Sequence, residues 1–398
     1  MIEEKKYPSR LILILIAPLG MVNLIFLAPS LPSLTRYFAV TFSQSHQMVI
    51  LYSVGYALSQ LIYAPISNTY GRKKALYIGI GLAIFGCLLC LLGIYIQSYV
   101  ILIVGRFITG IGAGAGPVIA FTVVNDVFKD KKARQAIGYC LIGLSVFPGL
   151  AALTGGYITQ YLGWIFSFYF ILFYNIFILF LSLKLPETYK PAVTASIKIA
   201  EIWMSLYHAV NNKKIIIAGI MYGLSIGIVF ITVAYIPFIG IHILNMNPFL
   251  FSICFFIVYM AYTLGSVFNI LAAGHFTLHR TLLSGITISL IGGIILIIAS
   301  ITGCTNVFIV FSAVFIAFLG LPLAFANLAV KGISSHEDKA HATSVFNFSF
   351  LIIGSISTYL LKFIDTDYIL VLGISYVLLM LISLSLYRIL FTDINSRI

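Results

Sequence analysis

The sequence predicts an all-α integral membrane protein with twelve transmembrane helices in two six-helix halves. Three observations lead there. The 398 residues are 61% apolar and 9% charged, whereas a soluble domain carries about 25% charged residues. Charge-free runs long enough to cross a hydrocarbon core about 30 Å thick recur to the end of the chain. The cations gather in the gaps between those runs, on one side of the expected topology.

The runs resolve into spans at 11–33, 45–66, 75–95, 100–123, 135–157, 164–184, 215–240, 249–271, 282–302, 307–330, 341–361 and 368–388. They are continuous, not alternating, so helices are expected and not barrel strands. The first follows "MIEEKKYPSR", whose mixed charges and lack of a small-residue cleavage site exclude a signal peptide. The second and third flank Arg72, Lys73 and Lys74, which divide the uncharged runs Tyr37–Gly71 and Ala75–Gly105. The fourth contains Arg106 and ends just before Asp126. Residues 135 to 183 carry no charge and are too many for one crossing, so the fifth and sixth spans part at "TQYLGW". The seventh and eighth part at "HILNMNP", the ninth and tenth at "TGCTN", and Lys362 separates the last two.

The longest connection runs from Pro186 to Lys214 and divides six spans from six. The domains are therefore 1–185, an N-terminal bundle, 186–214, a cytoplasmic central loop, and 215–398, a C-terminal bundle. Within the loop, Ala195–Val210 reads either as an interfacial amphipathic helix or as a solvated linker. "KARQA" before the fifth span and "KAHAT" before the eleventh lie 207 residues apart, an echo between corresponding points of the halves.

With the N-terminus inside, 20 of the 23 cations fall inside, Arg36 and Lys362 outside, and Arg106 within a span. The positive-inside bias thus puts both termini in the cytoplasm, and the expected location is the cell inner membrane. The net charge of +12 is a matter of orientation and implies no nucleic acid. Cys87, Cys90, Cys140, Cys254 and Cys304 all lie in apolar runs and read as small buried residues, with neither metal nor disulfide expected.

Several motifs resemble the major facilitator superfamily, and within it the Bcr/CflA (bicyclomycin-resistance) drug-efflux transporters. The family's turn between helices 2 and 3 reads Gly-x-x-x-Asp-Arg-x-Gly-Arg-Lys. Here "APISNTYGRKK" keeps Gly71, Arg72 and Lys73 and has Ala64, Asn68 and Thr69 at the other three places. By resemblance this is a gating loop, and the neutral Asn68 implies a weaker cytoplasmic latch. "GRFITGIGAGAGPV" followed by "VVNDVF" resembles the family's helix 4, with Arg106 facing the bundle and Asp126 closing the helix. The glycines between them read as sites of close helix approach. "GLSVFPGLAALTGGYI" resembles the antiporter helix, matching at Pro148, Gly155 and Gly156. "LPET", "AYIPFI", "GLPLAFANLAV" and "KAHATSVFN" resemble further signatures along the chain.

The resemblance implies a secondary transporter that exports drugs or other small amphiphilic compounds in exchange for protons. Ile25 stands where the family usually has an Asp, and no Asp or Glu lies in the middle of a span. Asp126 is then the expected coupling or gating carboxylate, the alternative being a helix-end contact with Lys129 or Arg134. His46 and His242 lie near the outer ends of the second and seventh spans and are expected to be interfacial. Without a buried acid the cavity suits neutral or zwitterionic cargo, and its expected lining is Asn23, Tyr56, Tyr235, Tyr262, Asn269, Asn327 and Asn347. Helix packing is the competing role for each of these.

A transporter of a native metabolite, siderophore-like or peptide-like, is the alternative reading. A polytopic membrane enzyme would need a clustered His/Asp/Glu or Ser/His set, which the sequence lacks. "GIGAGAG" is not followed by Lys-Ser/Thr and is no phosphate loop. The expected partners are a small-molecule substrate, the lipid bilayer and, by resemblance, protons, with no cofactor, and the chain is expected to act as a monomer.

Overall fold

A uniformly apolar stretch has one way to satisfy its backbone in lipid, which is to hydrogen-bond within a helix. The computed structural model describes residues 8–128, 130–189, 207, 210–272, 275–325, 328, 339–361, 364 and 367–395, and these are helical apart from short turns. Among the described residues eleven helices are long and apolar enough to cross a membrane, and the two arms of a bent segment make a twelfth.

That bent segment is α1. It comprises Arg10–Ile16, Leu19–Ile25, the 3-10 turn Ala28–Ser30 and Leu31–Tyr37, with a 43° change of direction between its arms. The sequence reads it as one straight span. Pro18 and Pro29 remove backbone donors at the two breaks, and an apolar run hides them.

The remaining helices follow in order. They are α2 (Phe42–Tyr70), α3 (Arg72–Tyr95), α4 (Tyr99–Val127), α5 (Asp130–Tyr161), α6 (Trp164–Ser182) and α7 (Lys213–Ile243, its last turn a π-helix). Then come α8 (Pro248–Ala272), α9 (Leu278–Ile301), α10 (Val307–Phe325), α11 (Lys339–Leu361) and α12 (Tyr368–Asn395). Of the stretch Ala195–Val210 only residues 207 and 210 are described.

Burial sorts the helices. On α6, Phe166, Tyr169, Phe173, Phe177 and Phe180 form an exposed stripe at helical spacing, suited to lipid. By contrast α7 is buried at every residue from Gly223 to Phe238. Small residues set the closest crossings. Gly86 meets Gly105 between α3 and α4, and Gly285 meets Gly320 between α9 and α10, the same contact in each part of the chain. A seam runs between the first six helices and the last six, where α2 lies along α11 and α5 along α8.

Candidate functional site

The seam has two ends. One, the latch end, carries the tight turn between α2 and α3. Gly71 there has φ +93° and ψ 161°, a conformation essentially reserved for glycine. It starts α3 with Arg72, whose Nε donates to Asp126 Oδ2 of α4 at 2.8 Å. Arg72 Nη1 also donates to Asn68 Oδ1 at 2.6 Å and to Ser67 Oγ at 3.0 Å. Thr188 Oγ1 donates to Asp126 Oδ2 at 3.1 Å.

A second carboxylate completes the turn. Glu187 accepts the backbone N–H of Arg72 at 2.9 Å and of Lys73 at 3.1 Å, which places an anion at the positive N-terminus of α3. Lys73 Nζ donates to the carbonyl of Leu183 at 2.8 Å, and the Arg72 guanidinium lies 4.3 Å from the centre of the Tyr189 ring. The segment after α6 is thereby tied to the α2–α3 turn. The neutral Asn68 keeps a hydrogen bond while Asp126 supplies the charge.

Arg106 is 3% exposed, which excludes snorkelling to the interface. Its Nη1 donates to the carbonyl of Asn23 at 3.2 Å, its guanidinium lies 4.3 Å from the centre of the Tyr52 ring, and Nε has no hydrogen-bond partner. Beneath it Asn23 of α1 and Asn175 of α6 pair through their amides. The glycines that follow Arg106 meet three neighbours: Gly110 and Gly114 pack against α2, Gly112 against α3, and Gly116 against α1.

Between the bundles, Asn347 Nδ2 of α11 donates to Gln60 Oε1 of α2 at 3.3 Å. Gln60 Nε2 donates in turn to the carbonyl of Tyr56 at 3.4 Å, and the ring of Tyr222 of α7 lies 4.7 Å from that of Phe350 of α11. On the other flank Thr263 of α8 donates to the carbonyl of Ser145 of α5 at 3.3 Å. Gly155 of α5 packs against the carbonyl of Phe26, and Gly156 against Ser252 and Pro248 of α8. Pro148 lies inside α5 about two turns before them.

At the far end Phe42 of α2 stacks on Tyr368 of α12, ring centres 4.0 Å apart. It also meets Tyr235 and Phe238 of α7 edge-on, at 5.2 and 4.7 Å. Tyr235 donates to the carbonyl of Leu361 at 2.7 Å, which pins the cluster to α11.

Comparison with known proteins agrees with this architecture. The Major Facilitator Superfamily profile matches residues 11–358. The chain belongs to the Major Facilitator Superfamily. Among curated superfamily members it is 27% identical over 255 residues to the uncharacterized transporter YdgK of Bacillus subtilis (strain 168), covering 63% of each chain. It is 28% identical over 162 residues to Multidrug resistance protein D of Escherichia coli (strain K12), covering 41% of this chain and 40% of that one. The matched regions thus span less than two thirds of these relatives. The crystal structure of a D-xylose–proton symporter superposes with a TM-score of 0.77 at 14% identity, over 94% of this chain and 96% of that one. At that identity the likeness concerns the superfamily fold alone.

Within this superfamily fold the expected cavity residues separate. Asn347 stands on the seam, bonded to Gln60, and Tyr262 is next on α8 to Thr263, which bonds Ser145 of α5; the Tyr56 ring packs against Gly20 of α1 and Gly114 of α4. Asn23 does not: it is fully buried among α1 and α6 and bonds Asn175. Tyr235 belongs to the far-end cluster and is fully buried. Asn269 is buried on α8, and Asn327 lies outside the described residues. Asp126 pairs with Arg72, a partner other than the two the sequence suggested, and Lys129 lies outside the described residues. His46 is at the start of the long part of α2, as expected, and is fully buried there.

Sequence reasoning missed Gln60, Asn175, Glu187 and Tyr222. Gln60 and Asn175 are isolated amides inside apolar runs, and that was the available signal. Glu187 lies in the quoted "LPET", but its capping of α3 requires the fold.

Proposed function

We propose that the chain is a secondary active exporter of drugs or other small amphiphilic compounds, exchanging them for protons, and that it is of the bicyclomycin-resistance type. The observation that carries this reading is the setting of α5. It is a proline-containing helix whose adjacent glycines back onto two different helices, Gly155 onto α1 and Gly156 onto α8. A helix held that closely on two sides opens a path only if a neighbour moves as a body, which is the switching an exchanger needs. The likeness to Multidrug resistance protein D supports the same reading.

The seam's chemistry bears on cargo. Gln60, Tyr262 and Asn347 offer an aromatic face and amides, and no Asp or Glu lies at mid-span. Such a surface suits neutral or zwitterionic amphiphiles better than strong cations. Residues 1–185 and 215–398 are proposed as the two rocking bodies, joined by 186–214. The latch end is assigned to the cytoplasm because 20 of 23 cations fall on that side, so both termini are cytoplasmic in an inner-membrane monomer.

Transport into proteoliposomes, with a compound panel and an imposed pH gradient, tests the proposal. Gradient-driven movement of amphiphilic drugs is expected. Unaltered drug tolerance in deletion and overexpressing cells, with a growth defect on one nutrient, would contradict it and favour a native metabolite.

A further inference from the structure

The far-end cluster contains a group that the account so far leaves unused. His46 lies at the joint of α2 between the turn Phe42–Ser45 and the long helix Gln47–Tyr70. It is 0% exposed, and neither Nδ1 nor Nε2 has a hydrogen-bond partner. Its ring centre is 4.2 Å from that of Phe42 and 4.6 Å from that of Tyr235. The carbonyl of Ala234 is near enough to attract an N–H but does not meet hydrogen-bond geometry.

The charges around it are sparse. From α7 come Tyr235 and His242, the latter ring-to-ring with Phe238 at 6.0 Å. On α1 the cation at this end is Arg36, in the last turn of Leu31–Tyr37. From α12 come Tyr368 and, one residue earlier, Asp367, whose carboxylate is taken by Ser300 Oγ and the backbone N–H groups of Ile369 and Leu370. From α2 itself Ser45 donates to the carbonyl of Phe42. No carboxylate among the described residues reaches the imidazole.

We infer that His46 is the proton-responsive gating residue of the far-end seal, neutral when the aromatic cluster is closed and protonated when it opens. An imidazole without polar partners fits this cluster only uncharged, because a charge there would be stripped of water with no anion among the described residues to replace it. The two nearest rings lie at 71° and 35° to it and are uncharged, so neither supplies the anion an imidazolium would need. Once α2 and α7 part, water reaches the ring and it titrates as an ordinary histidine. A proton that binds the open state better than the closed one shifts the balance toward open by linkage, with no carboxylate required. The inference rests on the reading of two bodies that part at the far end. It does not depend on what the cargo is.

The test needs no substrate. Spin labels are placed at Tyr95→Cys on α3 and Phe308→Cys on α10, both highly exposed far-end positions, with Cys254 and Cys304 replaced by Ser. Double electron–electron resonance distances are then recorded at about pH 8 and about pH 5, on either side of the histidine range. The parent is expected to gain a severalfold larger long-distance population at the lower pH, and His242→Gln is expected to keep that response. His46→Gln and His46→Phe are expected to lose it while keeping the parent's distances at the higher pH. A parent that does not respond, or a response that survives both His46 substitutions, overturns the inference. Drug transport measured separately in proteoliposomes distinguishes this failure from failure of the exporter reading.

Discussion

Asn175 Nδ2 donates to Asn23 Oδ1 at 2.8 Å, and Asn23 Nδ2 donates back to Asn175 Oδ1 at 3.3 Å, joining α6 to α1 where both are fully buried. Each amide also donates to the carbonyl four residues earlier in its own helix, Leu19 and Ile171. The pair fixes the stretch of α1 whose Asn23 carbonyl receives Arg106. Replacing Asn175 by Leu leaves the Asn23 amide half-satisfied and is expected to cost about 1–3 kcal/mol. Thermal unfolding in detergent measures it. Asn23→Leu combined with Asn175→Leu should lose less than the sum of the single changes, because both partners then go together.

Removing Asp126 strips Arg72 of its counter-charge at a site where the side chains are 6% and 21% exposed. Breaking one side of a buried pair costs about 3–5 kcal/mol, and the partial exposure of Asp126 puts Asp126→Asn near or below the low end. Urea or thermal unfolding of the purified protein checks this. Substrate-driven proton flux in the same variant decides a separate matter, since unchanged flux removes Asp126 from proton coupling and leaves it a latch.

Gly71 is strained for any other residue, and a Cβ there would lie 2.6 Å from the Glu187 carboxylate. Gly71→Ala is expected to cost about 1–3 kcal/mol of stability and to displace Glu187 from the start of α3. Glu187→Gln, which keeps the shape but removes the charge and leaves one acceptor oxygen for the two N–H groups, tests the cap without backbone strain. Parallel melting curves rank the two.

On α5 two glycines make opposite predictions. A Cβ at Gly155 would collide with the carbonyl of Phe26, whereas a Cβ at Gly138 meets nothing within 4 Å. Gly138→Ala should be neutral or stabilising by about 0.5–1 kcal/mol, the usual helix-interior gain. Gly155→Ala should destabilise, since backbone and not a flexible side chain must give way. Expression level and melting temperature separate them.

The fold was legible because apolar runs and the cations between them carry it directly. The α2–α3 turn was legible for the same reason, its charges being confined to a narrow gap. The facing of side chains was not. Around Asn23 the helix is apolar on every side, so no polar face tells which way it turns, and only the position of Asn175 decides. His46 sits among Gln44, Ser45 and Gln47, polar company that reads as an interface. Phe42, Tyr235 and Phe238 bury it, and two of those three are nearly 200 residues away in sequence. The breaks in α1 were visible as Pro18 and Pro29 but not as a 43° bend, because proline within an apolar run is also compatible with a gently curved span.

The most direct test of the two-body account is a pair of distances in one protein. One label pair spans the far end at Tyr95→Cys and Phe308→Cys, and the other spans the latch end at Lys74→Cys and Arg280→Cys, exposed positions at the starts of α3 and α9. Double electron–electron resonance, with a transported compound and with pH as perturbants, should find that whatever lengthens one distance shortens the other. Distances that grow together, or that stay fixed while transport proceeds, would contradict it.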